Sequence, residues 1–267
     1  MGHVDLTVLE GTETGLQAEI ERLIRDGVRH IAFDATEQAH LYRIARLFFS
    51  TSRRILPVGS AGLAGSMGGL LPSGLSLKKH AQKPVQKGTH LLVCGSISEV
   101  TRRQIKTLSA VYPYEEIALD PEALADSSEI DTLLNTAPGF GSRLAANNCI
   151  IKIDAPQKID RIAAGPAGRR QVVASIVKNL GRFVALVLTG SKPGLLFITG
   201  GDTAAAVLTA VKAEGIQVHG EIVPGVVRGT LLGGPLDGLP IVTKAGAFGH
   251  DDTLVVLHEA WQKMSDT

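Results

Sequence analysis

The sequence predicts an α/β fold in three layers: a mostly parallel sheet with helices on both faces, plus a short antiparallel extension near the C-terminus. Short apolar runs typical of buried strands alternate with helical periods along most of the 267 residues. The 30 glycines, beside only 4% aromatic residues, cluster at the ends of the predicted strands. Glycine occurs where the backbone has a positive φ or where another group approaches it closely. We therefore expect such conformations or close approaches at the strand ends.

The N-terminal quarter begins this alternation. Its predicted elements are a helix over 15–26, a strand over 29–34, a helix over about 37–50 and a strand over 54–58. Residues 71–88 then contain two prolines, two glycines and four lysines without a sustained period, which is typical of a linker. We therefore expect a first domain over 1–75, a linker over 76–88 and a second domain over 89–267.

The second domain continues the pattern. Strands are predicted over 89–94, 115–119, 149–153 and 194–198, and helices over about 99–111, up to 147, 168–188 and 202–213. The short runs 218–223, 226–232 and 240–244 have glycine and proline between them and predict a sheet edge or a small antiparallel extension. A helix over about 251–264 ends the chain.

Composition narrows the class of protein. The 27 basic and 26 acidic residues give a net charge of +1, which provides no global attraction to nucleic acid or to an anionic membrane. Cys94 and Cys149 lie in apolar runs without a CxxC motif, so neither a disulfide framework nor a zinc site is supported. The apolar runs are too short to span a bilayer, and the first residues lack a signal pattern. We expect a soluble, cytoplasmic protein.

The strongest local motif lies where the strand ending at about 198 meets the next helix. Gly200 and Gly201 follow the strand, and Asp202 or Thr203 can cap the helix. Unpaired amide groups and the positive end of the helix dipole would stabilise a phosphate at this position. The alternative is a tight glycine turn in which Asp202 is only a cap.

Two further junctions repeat this arrangement. Ser96 and Ser98 follow the strand over 89–94, although Ser98 alone is more simply an N-cap. Lys244 ends the strand over 240–244, where its charge could offset a phosphate, and Gly246 could let a nucleotide lie against the backbone. A solvated Lys244 is the alternative. Loops at the carboxyl ends of parallel strands open onto one edge of the sheet, which makes a shared site more plausible than any single loop.

A structural metal site is not expected. His250 precedes Asp251 and Asp252, but no further histidine or carboxylate lies nearby at ligand spacing.

These loops resemble the nucleotide-binding domain of the four-carbon acid sugar kinase family over roughly 88–263. The residues that carry the resemblance are Cys94–Ser98 with Thr101 and Gln104, Gly200–Ala204, Pro224–Val226, and Thr243–Gly249 followed by Asp252. Asp34-Ala35 and residues 58–64 also resemble the end of the family's N-terminal, acid-sugar-binding domain.

The resemblance implies a kinase that uses ATP and Mg²⁺ to phosphorylate a threonate, an erythronate or a 3-oxo-tetronate. Ser96 or Ser98, the turn Gly200–Thr203 and Gly246 would contact the nucleotide, and Asp202 and Thr203 are candidates to contact its phosphates or Mg²⁺. The family's Asp-Asp-Phe-Thr-Gly-Ala-like opening motif does not occur here. No general base is therefore assigned, and residues 1–75 are interpreted as a truncated remnant of the acid-sugar domain.

Two other functions remain open at this point. One is a nucleotide-binding or assembly module without catalysis. The other is a dehydrogenase on a similar sheet, against which stands the lack of a strand followed by Gly-x-Gly-x-x-Gly. A truncated domain would leave apolar surface uncovered, so we also expect a homo-oligomer.

Overall fold

The computed structural model describes residues 1–51, 53–72, 87–95, 98–126, 128–154 and 157–265. The chain divides into two units, Met1–Lys79 and His80–Thr267. The predicted linker over 76–88 lies mostly outside the described residues, so its boundaries stay a prediction.

The first unit is a small α/β assembly. Its elements are β1 (Gly2–Val4), α1 (Leu6–Glu10), α2 (Glu13–Arg25), β2 (Ile31–Phe33), α3 (Gln38–Ser50) and α4 (Ala61–Gly69). Strands β1 and β2 pair in parallel. The Asp5 carboxylate accepts the Val8 amide proton at 2.9 Å and so caps α1, while the Thr12 hydroxyl caps α2 in the same way. Leu9, Leu16 and other apolar side chains form the core of this unit.

The strand predicted over 54–58 is wrong. The segment has no regular secondary structure, and Leu56 and Val58 are each 85% exposed. Pro57 has no amide proton to donate to a ladder, which favours an irregular segment. The sequence patterns also missed β1, which is three residues long, and α4, which is rich in glycine.

The second unit is built on one seven-stranded sheet. Its elements are β3 (His90–Cys94), α5 (Glu99–Val111), β4 (Glu115–Leu119), α6 (Pro121–Ala125), α7 (Ile130–Ala146), β5 (Cys149–Ile153), α8 (Lys158–Ile162), α9 (Gly165–Gly190), β6 (Leu195–Thr199), α10 (Gly201–Ala210), β7 (Gly215–Val223), β8 (Val226–Leu232), β9 (Pro240–Lys244) and α11 (Thr253–Ser265). The strand order is β4-β5-β3-β6-β9-β8-β7. The predicted α/β fold with a mostly parallel sheet is confirmed.

The short antiparallel extension is formed by the three predicted runs. β8 pairs antiparallel with β7 on one side and with β9 on the other, and β9 also pairs in parallel with β6, which joins the extension to the parallel strands. Ile241 and Val242 of β9 are fully buried, as expected for an interior strand. Residues 240–244 therefore belong to the main sheet and bring their following loop to its carboxyl edge.

Helices cover both faces of the sheet. On one face, α7, α9 and α10 pack their apolar side chains against the sheet, and on the other face α5 and α11 do so. Helix α9 is long and apolar enough to cross a membrane by length and composition alone. Its buried side chains, among them Leu180, Phe183 and Val187, lie in the core that packs against the sheet, which accounts for the apolar character of this helix.

Candidate functional site

Three neighbouring parallel strands end in register at one edge of the sheet. Cys94 at the end of β3 is paired with Thr199 of β6, which is paired in turn with Lys244 of β9. The chain leaves β3 and β9 towards α5 and α11 on one face and leaves β6 towards α10 on the other. A crevice opens at the carboxyl edge where successive connections diverge in this way, and open α/β sheets bind ligands there.

The junction between β6 and α10 is built on a glycine in a left-handed conformation. Gly200 has φ +101°, and its amide donates to the carbonyl of Lys244 at 2.9 Å, which ties this loop to the end of β9. Gly201 begins α10, Asp202 is exposed in its first turn, and Thr203 is buried. The Asp202 carboxylate can therefore meet a ligand directly, whereas Thr203 packs inward.

The sequence interpretation missed a groove of about 960 Å³ between α9 and α10. Asp202 lines it together with four cationic side chains of α9: Arg169, Arg170, Lys178 and Arg182. Arg169 is paired with Asp160 at 2.7 Å. The spacing of Arg170, Lys178 and Arg182 along α9 is a helical-face signal that could have revealed this cationic face.

Lys244 is buried, so the solvated alternative for this residue is wrong. Its side chain is 3% exposed, and its ammonium donates to the carbonyls of Ala245, Gly246 and Phe248 at 2.9, 3.1 and 3.0 Å. Burial lowers the pKa of Lys244. An ammonium has three protons, and all three are directed to the chain's own backbone.

Helix α5 holds the same loop from its other side. The Thr101 hydroxyl donates to the carbonyl of Gly246 at 2.7 Å. The Gln104 side-chain amide donates to the carbonyls of Phe248 and His250 at 3.0 and 2.8 Å. Thr101 and Gln104 are buried, and both belong to the motif on which the family resemblance rests. Their task in this structure is to shape the loop after β9.

The remaining predicted site residues are placed as follows. Ser96 lies outside the described residues. Ser98 is the N-terminal cap residue of α5 and is partly exposed. Gly246 lies in the loop after β9, where its carbonyl accepts from Thr101 and Lys244. Among the described residues, no group of three or more histidine, cysteine or acidic side chains could hold a metal ion.

Comparison with known proteins identifies the family. A model described as "Nucleotide-binding C-terminal domain" matches residues 91–254, and one described as "Sugar-binding N-terminal domain" matches residues 1–67. The chain belongs to the four-carbon acid sugar kinase family. All three loops of the crevice lie inside the first match.

Several family members are named as kinases. They include a D-threonate kinase of Salmonella typhimurium LT2 (31% identity over 90% of this chain and 56% of that protein), a D-erythronate kinase of Heliobacterium modesticaldum (27%, 92% and 56%) and a 3-oxo-tetronate kinase of Brucella melitensis biotype 1 (26%, 93% and 55%). This family member therefore spans a little more than half the length of the curated relatives it matches.

Solved structures share the fold. A Bordetella bronchiseptica protein with a domain of unknown function, solved as a domain-swapped dimer with bound citrate, is 26% identical with a TM-score of 0.55, over 98% of this chain and 59% of that one. A protein of Salmonella typhimurium LT2 is 20% identical with a TM-score of 0.67, over 96% and 58% of the two chains. The second likeness concerns the fold alone.

Proposed function

We propose that this chain binds ATP with Mg²⁺ and forms the nucleotide-binding part of a cytoplasmic kinase that phosphorylates a four-carbon sugar acid. The candidate acceptors are threonate, erythronate and 3-oxo-tetronate, the sugar acids named for its relatives. The observation that carries the proposal is the alignment of the ends of β3, β6 and β9 at one crevice, within the matched nucleotide-binding region.

The chemistry of phosphoryl transfer suits this arrangement. The reaction depends mainly on positioning the phosphates and neutralising their oxygens. The glycine-bearing turn at Gly200 and Gly201 presents the amide end of α10, and Arg170 and Lys178 add positive charge in the adjoining groove. A polyphosphate placed between them would be stabilised by both.

Asp202 fits the role of a Mg²⁺ ligand. Its carboxylate is exposed beside the first amides of α10, and among the described residues it is the acidic member of a groove whose other charged residues are cations. Mg²⁺ prefers carboxylate and phosphate oxygens and usually keeps several waters. When bound, the ion would offset the charge on the phosphates, and Asp202 would hold it at the mouth of the crevice.

The length of the chain supports a second candidate function. Two relatives named D-threonate kinase are 31% and 32% identical to this chain, which covers 56% and 54% of their length. The groups that bind the acceptor or take its proton can lie in the remaining part of those relatives. A nucleotide-binding or assembly module without turnover of its own is the alternative, and a homo-oligomer is expected in either case.

One experiment separates these functions. The purified chain is titrated with ATP in the presence of Mg²⁺ by calorimetry, and then incubated with ATP and a panel of D- and L-threonate, D-erythronate and 3-oxo-tetronate. Binding with ADP formation that depends on one acid supports the kinase. Binding and thermal stabilisation without turnover support the module. A flat calorimetric titration contradicts both.

A further inference from the structure

The loop after β9 turns an unusual number of its carbonyl groups inward. The carbonyls of Ala245, Gly246, Phe248 and His250 all accept hydrogen bonds from three buried side chains, those of Lys244, Thr101 and Gln104. Charged and polar donors buried in this way are costly unless they are satisfied, so the bonds fix the orientation of each of these peptide units.

The orientation of the carbonyls determines that of the amides. A trans peptide unit is planar, so the N–H of the following residue points opposite to the carbonyl, and the chain has no cis peptide among its described residues. The amides of residues 246, 247, 249 and 251 are therefore turned away from Lys244 and α5. None of these four amides has a hydrogen-bond acceptor within the described part of the chain. Of the four, the amides of residues 246 and 247 are successive, whereas those of Phe248 and His250 donate to the Ala245 carbonyl and the Thr253 hydroxyl. Successive free amides such as these two form an anion-binding concavity.

We propose that Lys244 is a positioning residue that acts as a built-in cation: it binds the carbonyls of residues 245, 246 and 248 so that the opposite, amide side of the loop binds the phosphate groups of the nucleotide. The inference rests on the proposed nucleotide site and assigns a role to a residue that does not contact the ligand. Lys244 stabilises phosphate indirectly, because its three protons are already bonded to backbone oxygens. Thr101 has the same task, since its hydroxyl holds the Gly246 carbonyl from the side of α5.

The test uses two variants that remove these donors with little change in volume, Lys244→Met and Thr101→Val. The matched control is Lys192→Met. Lys192 lies in the loop before β6, at the other edge of the sheet, and the change removes its ammonium bond to the carbonyl of Pro235 in the loop between β8 and β9. Calorimetry measures the affinity for ATP, inorganic tripolyphosphate and adenosine. Hydrogen exchange, measured in the absence and in the presence of nucleotide, follows the protection of the two bonded amides of the loop, which donate from Phe248 to the Ala245 carbonyl and from His250 to the Thr253 hydroxyl.

We expect each variant to weaken ATP and tripolyphosphate binding by at least about tenfold, while adenosine affinity changes by less than about twofold. In the double variant, the fold-loss of ATP affinity should be smaller than the product of the two single fold-losses, because both side chains act on one loop. Exchange of the Phe248 and His250 amides should accelerate in both variants and not in the control. A general loss of structure would instead lower the affinity for adenosine as well.

Two binding results would overturn the proposal. If Lys244→Met weakens phosphate binding and Thr101→Val does not, then Lys244 contacts the phosphate directly. If wild type binds ATP and both variants bind it equally well, the loop does not serve the phosphates. When Lys244→Met fails to fold, Thr101→Val decides alone. A wild-type chain that binds no nucleotide contradicts the proposed function, and unchanged exchange in Thr101→Val separately contradicts the role in loop positioning.

Discussion

Gly95, directly after β3, packs against Thr203 in the first turn of α10. A Cβ atom at Gly95 would overlap the Thr203 hydroxyl and approach the methyl groups of Thr203 and Leu180 to 2.9 Å. Only a glycine permits this contact, which sets the distance between the loops that follow β3 and β6. The same contact explains why Thr203 is buried while its neighbour Asp202 is exposed.

Replacing Gly95 by Ala should therefore destabilise the second unit. Overpacking of this kind costs about 1–3 kcal/mol, and it should also displace the two loops and weaken ATP binding. Urea unfolding followed by circular dichroism measures the first effect, and calorimetry the second. Thr203→Ala in the Gly95→Ala background removes part of the overlap and should restore part of the lost stability.

Gly201→Ala provides a matched control for this prediction. A Cβ atom at Gly201 meets nothing within 4 Å, and no positive φ is needed there. Its unfolding free energy should stay within about 0.5 kcal/mol of wild type. Equal unfolding midpoints for Gly95→Ala and wild type would show that the loops are not held at this distance.

Asp202 should make nucleotide binding depend on Mg²⁺. Asp202→Asn keeps the size of the side chain but removes the charge that attracts the ion, so we expect ATP affinity with Mg²⁺ to fall by about tenfold, with little change when Mg²⁺ is absent. Glu13→Gln is the control, because Glu13 also lies in the first turn of an α-helix and is exposed. Unchanged affinity for ATP and Mg²⁺ in Asp202→Asn would remove this residue from the site.

Much of the second unit could be predicted because its signals are local. The strands over 115–119 and 149–153 and the helix over 99–111 have the predicted bounds, since each combines a clear period with a flanking turn or cap. The strand predicted over 54–58 fails for the opposite reason. Its apolar residues suggest burial, but a strand also needs a partner, and sequence patterns do not show whether one is present.

The candidate site likewise has a part that the local sequence predicts and a part that depends on tertiary packing. The loops at Gly200 and Gly246 could be predicted from the glycines that follow each strand, because glycine is the residue that permits a positive φ or a close approach to the backbone. The burial of Lys244 could not be predicted from the sequence, since it depends on Thr101 and Gln104 of α5 packing against a loop about 145 residues away. The cationic face of α9 was missed because it becomes a groove only when α10 packs beside it.

Exposed apolar residues of the first unit predict self-association. Leu56 and Val58 are each 85% exposed and follow Phe49 and Ile55, which are 49% and 43% exposed. Clustered apolar surface of this kind marks an interface. We expect a dimer or larger oligomer in sedimentation at roughly micromolar concentration, and Leu56→Glu with Val58→Glu should shift it towards monomer. Val218→Glu, at a residue 64% exposed in β7, should leave the oligomer intact.

The last prediction concerns a buried network of two histidines and a tyrosine at the opposite edge of the sheet. The Tyr114 hydroxyl lies 3.0 Å from Nδ1 of His90 and 2.7 Å from Nδ1 of His258. A phenol has one proton, so one histidine must accept that proton and the other must donate to the oxygen. Protonation of the accepting ring would leave the phenol proton without a partner.

The surroundings oppose that protonation. Burial, with a smaller contribution from the nearby His258 ring, lowers the pKa of His90 to about 4, and burial also lowers the pKa of His258. Burial raises the pKa of Tyr114, so the phenol stays neutral. Tyr112, whose ring centroid lies 3.9 Å from that of His258, donates to the Glu259 carboxylate and completes the polar groups around the network.

Stability should therefore fall as the medium becomes acidic. Between pH 6.5 and pH 4 the unfolded chain binds a proton at His90 that the folded chain does not, so the free energy of unfolding decreases over this window, by up to about 3 kcal/mol from this residue. Urea unfolding at pH 7 and pH 4.5 measures the decrease in wild type and in His90→Asn. The variant is less stable at pH 7 but should lose less stability on acidification, because Asn does not titrate.

His250→Asn, at an exposed histidine of the same unit, should behave like wild type. Equal losses in wild type and His90→Asn would show that the acid sensitivity comes from groups other than His90.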